Sequence, residues 1–140
     1  MARKITADAL RGLPQSKVKE LFDQLGPAKT EELKRDWSFW ARDNQLEPDN
    51  DDWNTWFINA GRGFGKTRSG VEWVRDNVKR GVKRIAAVAS TNSDIERVMV
   101  KGESGFLSVC WKGDKTHKGK KIGFPDWSPT KRTLTWENGA

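Results

Sequence analysis

The run Ala60-Gly61-Arg62-Gly63-Phe64-Gly65-Lys66-Thr67-Arg68 holds the residue types that grip a polyphosphate. Glycines let successive backbone N–H groups turn inward around phosphate oxygens. A lysine meets the β- and γ-phosphates, and a Ser or Thr hydroxyl ligates Mg²⁺. When such a loop opens a helix, the helix N-terminus adds further attraction for anions. Lys66 is therefore the candidate for the β/γ-phosphate contact and Thr67 for the metal, with ATP and Mg²⁺ as the expected ligands. The backbone from Gly61 to Gly65 would form the cradle. The strict pattern begins with glycine, whereas this chain has Ala60, which a positive φ would strain. Arg62 has two readings. It reaches a γ-phosphate in its own or a neighbouring subunit, or it is a solvated loop residue. The plain alternative for the whole run is a glycine-rich turn between a strand and a helix.

The flanking elements suit a phosphate loop. Trp56-Phe57-Ile58-Asn59 reads as a short strand feeding into the glycines. Val71, Val74 and Val78 recur at helical spacing and Gly81 lies past the end, predicting a helix after Thr67. Val82 to Ala89 leans apolar and reads as a strand covered on both faces. Strand, loop, helix, strand is a βαβ unit, which implies a parallel sheet. Upstream, residues 1–15 show no period and read as irregular. Val18, Leu21, Phe22 and Leu25 predict an amphipathic helix closed by Gly26-Pro27. Thr30 would cap a second helix carrying Leu33, Trp37, Trp40 and Ala41 and stopping before Pro48. Downstream, Ser93 would cap a short helix through Val100. Phe106 to Trp111 forms another apolar piece, and Thr133-Leu134-Thr135-Trp136 reads as a strand before an Asn138-Gly139 turn.

Bulk properties bound the function. The 140 residues suit one domain. Hydrophobic residues are 35% and charged residues 32%, which is polar, yet eight Trp and six Phe can anchor a core. No stretch approaches the roughly 18 apolar residues of a membrane span, and the first residues lack the apolar run of a secretory signal. A single cysteine, Cys110, excludes an intrachain disulfide and a cysteine-cluster metal site. Its place beside Trp111 suggests a buried, inert thiol. The +7 charge is compatible with a nucleic-acid partner.

Beyond the loop itself, the chain resembles a family. Trp53-Asn54-Thr55-Trp56, followed by Gly61 through Arg75, looks like the ATPase start of tailed-phage large terminase subunits, motors that pump DNA into a prohead. It is most similar to the group that includes prophage and gene-transfer-agent terminases. Val98-Met99-Val100-Lys101-Gly102-Glu103-Ser104-Gly105 and Ser128 through Ala140 match as well, so the resemblance runs from about Trp37 onward. It implies an α/β P-loop NTPase fold with an ASCE-type parallel sheet, incomplete here, carrying N-terminal helices. Residues 1–29 would be an extension and residues 30–140 the first part of the ATPase domain. It implies that Arg62 serves catalysis alongside Lys66, and that Ala60 to Arg68 form the nucleotide site. A glutamine preceding the loop, Gln45 by position, would contact adenine, or else is a surface residue near a helix end. Trp53 and Trp56 read as packing residues. The implied partners are double-stranded DNA, a portal protein, a small terminase subunit and further copies of the chain. The setting would be the bacterial host cytoplasm, with no membrane.

Some family parts have no counterpart. Hydrolysis needs an acid for Mg²⁺ and usually a glutamate to orient water, and no apolar run ends in Asp-Glu. The nuclease domain is missing too. The chain is thus expected to be an N-terminal portion, marginally stable by itself and without ATP turnover. Two other classes stay open: a portion of another nucleic-acid-stimulated ATPase of helicase type, and an inactive remnant or small basic binding protein. Asp49, Asp51 and Asp52 read as an acidic turn rather than a metal cluster, and His117 has no metal-ligand spacing. Lys112, Lys115, Lys118, Lys120 and Lys121 form a basic loop that either touches a DNA backbone or is merely solvated. If it touches DNA, replacing Lys115, Lys118 and Lys120 with Gln should flatten the salt dependence of duplex binding. The log–log slope should fall by about 0.9 per lost contact; an unchanged slope in a salt titration removes the loop from the interface.

Overall fold

A computed structural model describes residues 6–50 and 52–140. The expectations for residues 1–5 and for Asp51 in the acidic turn lie outside the described residues. The chain divides into two compact units, one up to Trp56 and one from Phe57 onward.

The first unit is built from short helices. Helix α1 (Ala7–Arg11) lies where an irregular segment was expected. Thr6 Oγ1 accepts from Ala9 N, and Asp8 and Arg11 sit at the ends that the helix dipole favours. Helix α2 (Gln15–Lys34) breaks at Gly26, whose φ of 76° and ψ of 164° are not helical. The second half restarts at Pro27, where a fixed φ and a missing N–H are harmless. Thr30 is therefore interior rather than a cap, and its hydroxyl donates to Gly26 O at 2.8 Å. The expected long second helix also stops early. Asp36 accepts from Ser38 N at 2.9 Å and starts a separate turn, α3 (Trp37–Trp40). The buried side chains here are Phe39, Ala41 and Gln45, while Leu21 and Leu25 of α2 stay exposed. Trp40 packs edge-on to Phe39 and donates its indole N–H to Leu33 O.

In the second unit the predicted central helix is present as α4 (Lys66–Arg80), and Gly81 closes it with a φ of 99°. Val71 and Val78 are buried with Phe106, Val109, Cys110, Ile122 and Trp136, and Val74 packs against that cluster. Helix α5 (Asn92–Asp94) is capped by Thr91 rather than Ser93 and runs into a π-helix, Ile95–Val100. Helix α6 (Phe106–Val109) supplies core residues. Strands β1 (Asp126–Ser128) and β2 (Thr133–Thr135) pair antiparallel, with Trp127 opposite Leu134.

That hairpin is the only sheet among the described residues, so the expected parallel sheet and the P-loop NTPase fold class built on it are overturned. Residues 56–59 and 82–89 run without regular structure and without a ladder partner. The run expected to be covered on both faces is largely exposed: Val88 is 83% accessible, and Phe57 at the other segment is 81%. The physical reason is that an apolar run supplies one half of a strand pair, and a sheet forms only where a second segment takes up its N–H and C=O groups. Neither segment has such a neighbour among the described residues. Among the described residues no helix is long and apolar enough to cross a membrane.

The second unit is tied by an ion network that runs along α4. Arg75 grips Asp114 with two bonds, Nε to Oδ2 at 2.8 Å and Nη2 to Oδ1 at 2.5 Å. Its Nη1 reaches Glu72 at 3.0 Å, Arg68 holds the same Glu72 at 2.7 Å, and Lys79 approaches Asp114 at 3.3 Å. Glu72, Arg75 and Asp114 are all buried. Burial works against the charge on Arg75, but the bonds and fields of Asp114 and Glu72 outweigh it and raise its pKa. Burial likewise works against the Asp114 carboxylate, yet Arg75, Lys79 and the Trp111 N–H hold it below its ordinary value. Burial pushes the neighbouring Cys110 thiol up to about 12, so it stays protonated at neutral pH, in line with an inert residue.

Asp114→Asn should cost about 3 kcal/mol at pH 7, because it leaves Arg75 buried beside a neutral group. An Asp with a depressed folded pKa stabilises fully above its unfolded value, about 3.9. That contribution disappears as pH falls through the folded value, where both states are protonated. Urea midpoints of the two proteins should therefore differ most at pH 5–7 (approximately,) and converge in acid; a gap independent of pH would contradict this account.

Candidate phosphate-binding site

The glycine-rich run folds as a tight turn, and its geometry shows which glycines it needs. Gly63 has a φ of 76° and Gly65 a φ of 96°, in the left-handed region that costs an L side chain. Ala60 is not in that region, so its departure from the strict pattern carries no backbone strain. Gly65 is the N-cap of α4 and offers no side chain to the first turn. The first turn therefore has no side-chain cap, which is the arrangement an anion satisfies. Lys66 and Thr67 are the first two residues of the helix.

Lys66 folds back over the turn. Its Nζ donates to Ala60 O at 2.7 Å and to Gly61 O at 2.8 Å. The ammonium therefore sits on neutral carbonyls, which bind it less strongly than a phosphate oxygen does. Thr67 is half-buried, and Arg62 is exposed. Arg68 faces both ways. It borders the site and also anchors Glu72, so the turn is connected to the ion network.

A cavity of about 390 Å³ opens beside the turn. One wall is Gly63 to Arg68, and the other is Arg97, Val98 and Gly102 to Ser104. Its size falls within the range of small-molecule sites, roughly 300–1,000 Å³. Lys66, Arg68 and Arg97 against the single carboxylate Glu103 give the lining a positive balance. The structure brings together six of the expected site residues, from Gly63 to Arg68. Ala60 and Gly61 contribute carbonyls to Lys66 rather than wall, and Arg62 is not part of the lining. Gln45 belongs to the first unit, where it is buried and its Oε1 accepts from Arg42 N at 3.0 Å to close the 3₁₀ turn Asp43–Gln45.

The opposite wall, Arg97, Glu103 and Ser104, had no role in the sequence reading. The stretch from Val98 to Gly105 stood out only as a family-like string, and nothing in its spacing pointed at the glycine-rich turn. The basic loop is better ordered than its composition suggests. Lys115 bridges Lys121 across it, Thr116 N donates to Lys120 O at 2.7 Å, and His117 meets Asp76 at 3.1 Å. Lys112, Lys115, Lys118 and Lys120 point into solvent-accessible space. No group of three or more potential metal-ligating side chains occurs among the described residues.

Comparison with protein-family models, with curated proteins and with solved structures gives no match to this chain.

Because Gly65 requires a φ of 96°, Gly65→Ala should destabilise the second unit by about 1–2 kcal/mol. Ala60→Gly should lack that strain effect. Chemical denaturation of the two variants decides this, and equal effects would mean the turn does not depend on the left-handed glycine.

Proposed function

We propose that the chain binds MgATP at the Gly63–Thr67 turn, as the nucleotide-binding portion of a DNA-packaging motor of the large terminase type. One observation carries the reading: an uncapped helix start with a left-handed glycine before it and Lys66-Thr67 in its first turn, all on a cavity of about 390 Å³. The donor set fits the ligand. The first-turn N–H groups would take phosphate oxygens, and Lys66 would leave its two carbonyls for the β- and γ-phosphates. The Thr67 hydroxyl would join the Mg²⁺ shell, where the metal offsets phosphate charge. No residue is assigned to activate water, so the proposal is binding and not turnover by this chain alone. Double-stranded DNA, a portal protein, a small terminase subunit and further copies of the chain are the partners of this reading, in a bacterial host cytoplasm. They rest on the sequence resemblance.

A second reading has its own support. The sheet of a P-loop motor is absent among the described residues, and all five lysines of the 112–121 loop are exposed. Both suit a small basic binding module.

Titration calorimetry with ATP and Mg²⁺ separates these readings. Nucleotide binding should be lost by at least tenfold in Lys66→Ala, since a charge-assisted bond is worth about 1.5–3 kcal/mol. Undetectable ATP binding by the folded wild-type chain would overturn the nucleotide reading and leave the basic module.

A further inference from the structure

Arg97 stands on the wall of the cavity that faces the glycine-rich turn. It lies on the π-helix Ile95–Val100, a geometry that recurs at functional sites. No ion pair holds it among the described residues. The nearest acid in sequence, Glu96, is already bound by Lys101 at 2.5 Å. Glu103 lines the same cavity without forming an ion pair with Arg97.

The wall is built rather than draped. A Cβ on Gly102 would lie 2.5 Å from Val98 O, and one on Gly105 would lie 2.7 Å from Val100 O. Only glycine allows the 102–105 turn to press this closely on the end of the π-helix. Ser108 Oγ donates to Gly102 O, and Gly105 N donates to the same carbonyl, each at 2.8 Å. The backbone that carries Arg97, Glu103 and Ser104 is therefore fixed as one piece.

Resting on the nucleotide reading above, we propose that Arg97 is a second cation for the terminal phosphate, so that the cavity selects a nucleoside triphosphate over a diphosphate. Lys66 approaches from the turn and Arg97 from the opposite wall. A diphosphate seated on the α4 N-terminus satisfies the turn. A third phosphate extends its charge toward the far wall, where a guanidinium presents several N–H donors in a plane. The two ligands share the contacts of the turn, Lys66 to the β-phosphate included, and the triphosphate alone adds a γ-phosphate for Lys66 and Arg97 to hold.

The test is equilibrium binding of AMP-PNP and of ADP, each with Mg²⁺, to the wild-type chain and to Arg97→Gln, Arg97→Lys and Lys66→Ala. Arg97 is exposed, so its variants should keep the wild-type circular dichroism and melting curve. Arg97→Gln should weaken AMP-PNP about tenfold and leave ADP within about twofold, with partial recovery in Arg97→Lys. Lys66→Ala should weaken both nucleotides. If Lys66→Ala changes neither, the nucleotide site itself is misplaced and the Arg97 assignment falls with it. If Lys66→Ala acts but Arg97→Gln weakens both ligands equally, or neither, only the Arg97 assignment is overturned.

Discussion

The second unit depends on one buried contact, the bidentate pairing of Arg75 with Asp114. Two charges removed from water are costly, and a pair of this kind adds little net stability over a well-packed apolar pair. Its value lies in what it forbids. Any packing of α4 against the 111–123 loop that separates the two groups leaves an unpaired charge inside the protein. The apolar contacts of Val71 and Val78 tolerate small shifts, whereas a two-bonded guanidinium does not. Asp114 also organises its own loop: its carboxylate accepts from Trp111 N, and its carbonyl accepts from Ile122 N at 2.8 Å. Ile122 is 1% exposed, so the same residue that fixes the charge delivers a core side chain.

From that contact the order extends to the turn. Arg75 holds Glu72, Glu72 holds Arg68, and Arg68 borders the cavity beside Lys66 and Thr67. These residues recur every three or four positions along α4, on a stripe beside the valines. The helix thus has two jobs on adjacent faces: an apolar one that makes the core and a charged one that reaches the site. Lys66 completes the turn by donating to the Ala60 and Gly61 carbonyls, which leaves the first-turn N–H groups of α4 without a side-chain cap.

Legibility in the sequence followed the range of the interactions. Helix α4, its glycine stop and strand β2 were readable because their signals lie within one turn or one strand. The Gly63 and Gly65 positions were readable for the same reason. Strand β1 was not, because Pro125 and Pro129 around Asp126-Trp127-Ser128 look like loop chemistry. The break at Pro27 was half visible: Gly26-Pro27 read as a stop, while the same proline is also a good first residue for the next helix. The parallel sheet failed for a different reason. Trp56 to Asn59 and Val82 to Ala89 both have strand-like composition, but composition does not show whether two segments pair, and these two have no ladder partner among the described residues. Arg68, Glu72, Arg75 and Lys79 have the spacing of exposed helix pairs; the burial of Glu72 and Arg75 goes with Asp114, which lies 39 positions from Arg75 in what read as a basic loop. The far wall of the cavity was hidden in the same way.

The extended segments on either side of α4 have a consequence for behaviour in concentrated solution. Residues 56–59 and 82–89 have no ladder partner among the described residues and expose Phe57 and Val88 to any strand that passes. Such edges are templates for adding a further chain. Lys83 and Arg84 lie near the start of the longer one, and Lys83 donates to Asn138 O. The net charge of +7 keeps copies apart by repulsion, so colloidal stability in this protein is a matter of ionic strength. Added salt shortens the range of that repulsion and leaves the unpaired segments less guarded.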